Sequence, residues 1–63
     1  QTEAIRSLAR AGRLGRLPAP LRAAATARLR APTATLSDLA RRLDTTKWVV
    51  RSRLKRLMEE AEA

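Results

Sequence analysis

A chain of 63 residues with a formal net charge of +8, no cysteine and no histidine has room for one small domain and little catalytic chemistry. The missing thiols exclude a disulfide, an iron–sulfur centre and a thiolate zinc site, and the missing imidazole removes the commonest acid–base catalyst. With only scattered carboxylates left, no acid–base or metal constellation can be assembled, so neither an enzyme nor a cofactor nor a small-molecule substrate is expected.

The apolar content is rich in alanine, so the bulky core must come from the leucines, Ile5, Val49, Val50, Met58 and Trp48. Domains of this size bury only about 60% of the surface their unfolded chains expose. A start at Gln1 without a methionine, no signal peptide and no long apolar run are what a piece cut from a larger soluble, cytoplasmic protein would show. Charge is unevenly spread. Between Ala4 and Ser37 stand Arg6, Arg10, Arg13, Arg16, Arg22, Arg28 and Arg30 with no carboxylate among them, while Glu3, Glu59, Glu60 and Glu62 lie at the two ends. A basic domain of this kind implies partners carrying negative charge, because each Lys or Arg on a phosphate releases condensed counterions. A solvated arginine-rich surface is the plainer explanation of the same charge.

In chain order, residues 1–16 read as a first helix or a linker helix. Ile5, Leu8 and Ala9 form a narrow apolar stripe, Thr2 is placed as N-cap with Glu3 in the first turn, and Gly12 is placed as the stop. Such a short helix is marginal alone, so it either docks on the helices C-terminal to it or belongs to a linker. Gly15 and Pro18 mark a connection in which Leu14 and Leu17 can pack beneath the helix. The domain proper is expected over residues 17–63. Its first helix lies between Pro20 and Pro32, with Leu21, Ala24, Ala25 and Leu29 on one side and Arg22, Arg28 and Arg30 mostly outside, and it supports the two helices after it.

Leu36, Leu39, Ala40 and Leu43 then recur at the spacing of one helical face, and Thr35 with Asp38 forms a capping box with Asp in place of the usual Glu. Asp44, Thr45 and Thr46 supply the turn, Thr46 the next N-cap. From Lys47 a second pattern runs, with Val50, Leu54, Leu57 and Ala61 facing the core and Lys47, Trp48, Arg51, Ser52 and Lys55 pointing away. A short helix, a tight turn and a longer helix with a basic outer face make a helix-turn-helix, whose second helix lies in a DNA major groove. The expected fold is therefore all-α with about four helices, and its segment over residues 17–30 with the helix-turn-helix after it resembles region 4 of a sigma factor.

The expected DNA-binding residues are Thr46, Lys47, Trp48, Arg51, Ser52, Arg53 and Lys55. Arg51 is placed for a bidentate contact to guanine or for a plain phosphate contact. Lys47 and Lys55 suit phosphates as flexible point charges, and Arg53 and Arg56 sit on a flank. Trp48 has four options: a thymine methyl, a sugar, a protein interface, or its own core. Glu59, Glu60 and Glu62 oppose the helix dipole and are expected at a frayed end, off the DNA.

At these residues the chain resembles the C-terminal domain of WhiA, a regulator of actinobacteria and firmicutes. The segments LPAPLRAAATARLRAPTATLSDLARRLD and TTKWVVRSRLKRL follow the family's order at Leu17, Pro18, Leu21, Arg22, Ala24, Ala25, Arg28, Leu29, Pro32, Leu36, Leu39, Leu43, Thr46, Lys47, Val50, Arg53, Leu54 and Leu57. Trp48 stands where the family has Ser, Arg51 and Ser52 stand where it has Asn-His, and the turn is shorter. The resemblance implies a domain located after a homing-endonuclease-like domain without nuclease activity, in a transcription regulator of cell division and sporulation. It implies binding to double-stranded promoter DNA at a GACAC-type element, at the nucleoid, together with the WhiB-like iron–sulfur protein and sigma factor region 4 of RNA polymerase. Other readings are a sigma-factor region 4 domain, a protein-interaction module docking on RNA polymerase, and an RNA-binding helical module. The Asp44-Thr45-Thr46-Lys47 turn is closer to WhiA than to the Gly-Val-Ser type turn of sigma domains.

Overall fold

A computed structural model describes residues 1–63 as four helices without a strand. Helix α1 spans Thr2–Arg10, a 3-10 turn spans Leu14–Arg16, α2 spans Ala19–Arg30, α3 spans Leu36–Arg42 and α4 spans Lys47–Glu62. Helix α4 packs against each of the other three. Its Val50, Leu54 and Leu57 meet Ile5 and Leu8 of α1, Ala24 and Ala25 of α2, and Leu39 and Ala40 of α3 in one core of nine buried residues. The alanines of α2 and α3 allow close approach of the helices, and Ile5, Leu8, Leu39, Val50, Leu54 and Leu57 are the large, fully buried side chains. Leu14, Leu17, Leu21, Leu29, Leu36, Leu43, Met58 and Ala61 close the edge of this core, half-buried. Fully burying one leucine-sized side chain contributes roughly 1.5 to 3 kcal/mol, so a core this thin depends on each of its members.

Two helix ends use the same backbone solution with different residues. After α1, Gly12 adopts φ +71, and the amides of Gly12 and Arg13 donate to the carbonyls of Ala9 and Leu8 at 3.1 and 3.0 Å. After α3, Asp44 adopts φ 54, and the amides of Asp44 and Thr45 donate to Arg41 and Ala40 at 3.3 and 2.9 Å. Both are Schellman ends, which satisfy carbonyls that would otherwise be left without partners. Glycine serves at the first without steric cost; at the second Asp takes the left-handed conformation, which short polar side chains tolerate better than most. The helix starts differ too. Thr35 and Asp38 exchange both bonds of the capping box, at 3.1 and 3.3 Å, and Thr46 accepts the Val49 amide at 3.2 Å.

Three sequence expectations are corrected. Thr2 is not the N-cap of α1: the Ile5 amide already donates to the Gln1 carbonyl at 3.1 Å, so the helix begins one residue earlier and Gln1 takes that position without a side-chain cap. Arg28 is not outside. It is buried, with Nη1 donating to the carbonyls of Pro32 and Ala34 at 3.2 and 2.7 Å. The loop between α2 and α3 supplies those acceptors, so the guanidinium is held by backbone carbonyls rather than by a carboxylate. Nor does the acidic end of α4 fray, since helix continues to Glu62 and Glu60 is half-buried between Arg13 at 3.7 Å and Arg56 at 3.1 Å. The Arg13 pair ties the segment after α1 to the last turns of α4.

Candidate nucleic-acid interface

The outer face of α4 is built by its start and its register. Thr46 caps the first turn, and the Schellman end at Asp44 closes α3 just before that cap. Because Val50, Leu54, Leu57 and Ala61 are held toward the core, the 3.6-residue period places Trp48, Ser52, Lys55 and Glu59 along the opposite line. Lys47, Arg51 and Lys55 form a second line beside it at i, i+4 and i+8.

Each expected site residue can be located on this frame. Lys47, Trp48, Arg51, Ser52 and Lys55 are all exposed. Thr46 is exposed as well, but its hydroxyl oxygen is engaged with the Val49 amide. Arg53 is half-buried on a flank. Trp48 does not enter the core; it is 66% exposed, with the Lys47 ammonium 5.5 Å from the ring centroid. A cation–π contact of this exposed kind contributes about 0.5 to 1 kcal/mol and orders the lysine over the indole.

Many of the arginines are engaged within the fold, while Arg6, Arg16, Arg30 and Arg42 are not. Arg10 pairs with Glu3, Arg13 and Arg56 with Glu60, and Arg41 with Asp38. Arg22 donates to the Leu17 carbonyl at 2.7 Å and Arg28 to two loop carbonyls. By contrast Lys47, Arg51, Arg53 and Lys55 form no ion pair, and all lie in the first half or middle of α4. The positive end of the helix dipole adds to their field. The acids of α4 begin only at Glu59, about 16 Å along the axis from Trp48 at 1.5 Å per residue, farther than the roughly 12 Å width of a major groove. The leading half of α4 therefore carries no carboxylate of its own against phosphate, and the nearest acid before it is Asp44 in the turn.

The tertiary structure also brings together residues that periodicity kept apart. Arg30 of α2 and Arg42 of α3 line one shallow groove of about 420 Å³ with Ala23, Thr26, Ala27 and Leu43. No spacing rule links Arg30 to Arg42 across the α2–α3 loop, and Arg42 belongs to none of the sequence patterns. No group of His, Cys, Asp or Glu is arranged to hold a metal ion, and no helix is long and apolar enough to cross a membrane.

A supporting helix, a short helix, a tight turn and a longer helix with a basic leading half define a helix-turn-helix domain of the DNA-binding class. The family model for the WhiA C-terminal HTH domain matches residues 1–61, and the chain belongs to that family. No curated protein and no solved structure matches the chain. Members of helix-turn-helix DNA-binding families are typically not enzymes.

Proposed function

We propose that this domain reads promoter DNA through the exposed face of α4, with Lys47, Trp48, Arg51, Ser52, Arg53 and Lys55 against the duplex and Thr46 starting the helix that carries them. The carrying observation is the set of four cations on α4 that have no acid partner, in a domain where most other arginines are engaged within the fold. Cations held free of carboxylates on one half-helix fit phosphates and base edges, and they supply both the position on the duplex and the sequence preference. Arg51 takes guanine and Lys47 and Lys55 take phosphates, since a planar fork suits two acceptors and an ammonium suits one.

Membership in the WhiA family supports a place for the domain at the C-terminal end of a transcription regulator of cell division and sporulation. In that reading it works in the cytoplasm, on the nucleoid, with the WhiB-like iron–sulfur protein and sigma factor region 4 of RNA polymerase. Footprinting of a target promoter tests this directly. Weak protection by the domain alone, strengthened by adding the iron–sulfur protein and sigma factor, is the expected result. Protection unchanged by either protein would remove them as partners.

A further inference from the structure

Trp48 is the one large apolar side chain left in the open, 66% exposed where every other bulky apolar residue is buried or half-buried. It stands in the first turn of α4 on the line opposite the core, with Ser52 one turn later and Arg51 beside it. The ammonium of Lys47 lies over the ring. The surroundings of the indole decide what can cover it. Lys47, Arg51 and Lys55 all lie within two turns and none is neutralised by a carboxylate. Trp and Arg are enriched at protein–protein interfaces but Lys is depleted there, so an indole flanked by Lys47 and Lys55 with no carboxylate paired to either fits a phosphate-bearing partner better. On duplex DNA the same cations meet phosphates, and the apolar group that a base pair shows in the major groove is the 5-methyl of thymine.

Resting on the DNA-reading function proposed above, we infer that Trp48 covers the 5-methyl group of a thymine and is a specificity-determining side chain beside Arg51. The register comes from two repeats. Trp48 and Arg51 are three residues apart, about 4.5 Å along the helix, against about 3.4 Å between successive bases of a strand. The thymine under Trp48 therefore lies within about two base pairs of the guanine at Arg51.

The test begins by selecting a preferred duplex from a random pool with the 63-residue chain. Each thymine in that duplex is then replaced singly by deoxyuridine, which removes only the methyl, and affinities are measured for the wild type and Trp48→Ala. Covering one methyl-sized group contributes roughly 0.8 kcal/mol, which converts to a loss of about three- to fivefold. The expected result is that loss at one thymine for the wild type, and no loss there for Trp48→Ala. Because Trp48 lies outside the core, the variant keeps the wild-type fold and helical content. No methyl dependence at any position, or the same dependence in both proteins, overturns the inference while leaving DNA reading intact. A pool that yields no preferred sequence overturns the inference and the proposed function together. Indole fluorescence that changes with added protein partner but not with the selected duplex would assign Trp48 to a protein interface instead.

Discussion

A guanidinium taken out of water is costly unless its donors are met, and Arg28 is met by two carbonyls rather than by an acid. Its Nε meets no protein acceptor, and within the chain the two Nη1 bonds supply the compensation. They also satisfy the Pro32 and Ala34 carbonyls in the loop that leads to the Thr35 cap. Arg28→Met keeps the apolar stem and removes both bonds; it should lower unfolding free energy by about 1 to 3 kcal/mol in urea titration. Arg30→Met, at an exposed position two residues on, should stay within about 0.5 kcal/mol of wild type. Equal effects at the two positions would contradict a clamp at Arg28. The stripe of Ala24 and Ala25 runs straight to Arg28 at i+4 and i+3, so its place on the inner face was legible from spacing. Its residue type argued the other way, and its acceptors come from a loop whose path no periodicity specifies. Trp48 is the reverse case: the register of Val50, Leu54 and Leu57 puts it outside, and there it is.

At the scale of the helices, the starts and stops carry much of the order. Asp38 accepts from the Thr35 amide and from Arg41, and these bonds, Arg41 first, hold its carboxyl below the usual carboxylate range. A carboxyl whose pKa is lower in the folded state contributes stability above its unfolded value. That stability is lost as pH falls through the folded value. The unfolding midpoint should therefore drop as the solution is taken below about pH 4, and Asp38→Asn should flatten that part of the profile. An unchanged acid limb in the variant would show that the capping box does not contribute there. Cap residues of this kind were plain in the sequence because Thr35, Asp38 and Thr46 bond to backbone only three residues away. The Schellman end at Asp44 was readable only as a turn, since aspartate seldom announces a left-handed residue as glycine does at Gly12.

For the whole molecule, α4 serves as both the centre of the core and the reading surface, because its 16 residues give the other helices one face and solvent the opposite one. The apolar spacing within Thr2–Arg10 identified which face of α1 would be covered. It could not name the cover, which lies at the far end of the chain in Val50, Leu54 and Leu57 and is reinforced by Arg13 on Glu60. The same long-range pair joins the acidic tail to the fold: Glu60 is half-buried and occupies Arg13 and Arg56. Arg6, Arg16, Arg30 and Arg42 are free as well, but Lys47, Arg51, Arg53 and Lys55 share one helix, and with Lys47, Arg53 and Lys55 on duplex phosphates they set a salt slope of about −3 in log K against log [salt].

The most direct measurement is the affinity of the domain for its selected duplex and for a scrambled one across a salt series, with wild type and Arg51→Ala. The account predicts a steep fall with salt on both duplexes and a preference for the selected one. That preference should shrink by about 1 to 3 kcal/mol in Arg51→Ala, with binding to the scrambled duplex falling far less. A flat salt response, or equal losses on the two duplexes, would contradict a base-reading role for α4.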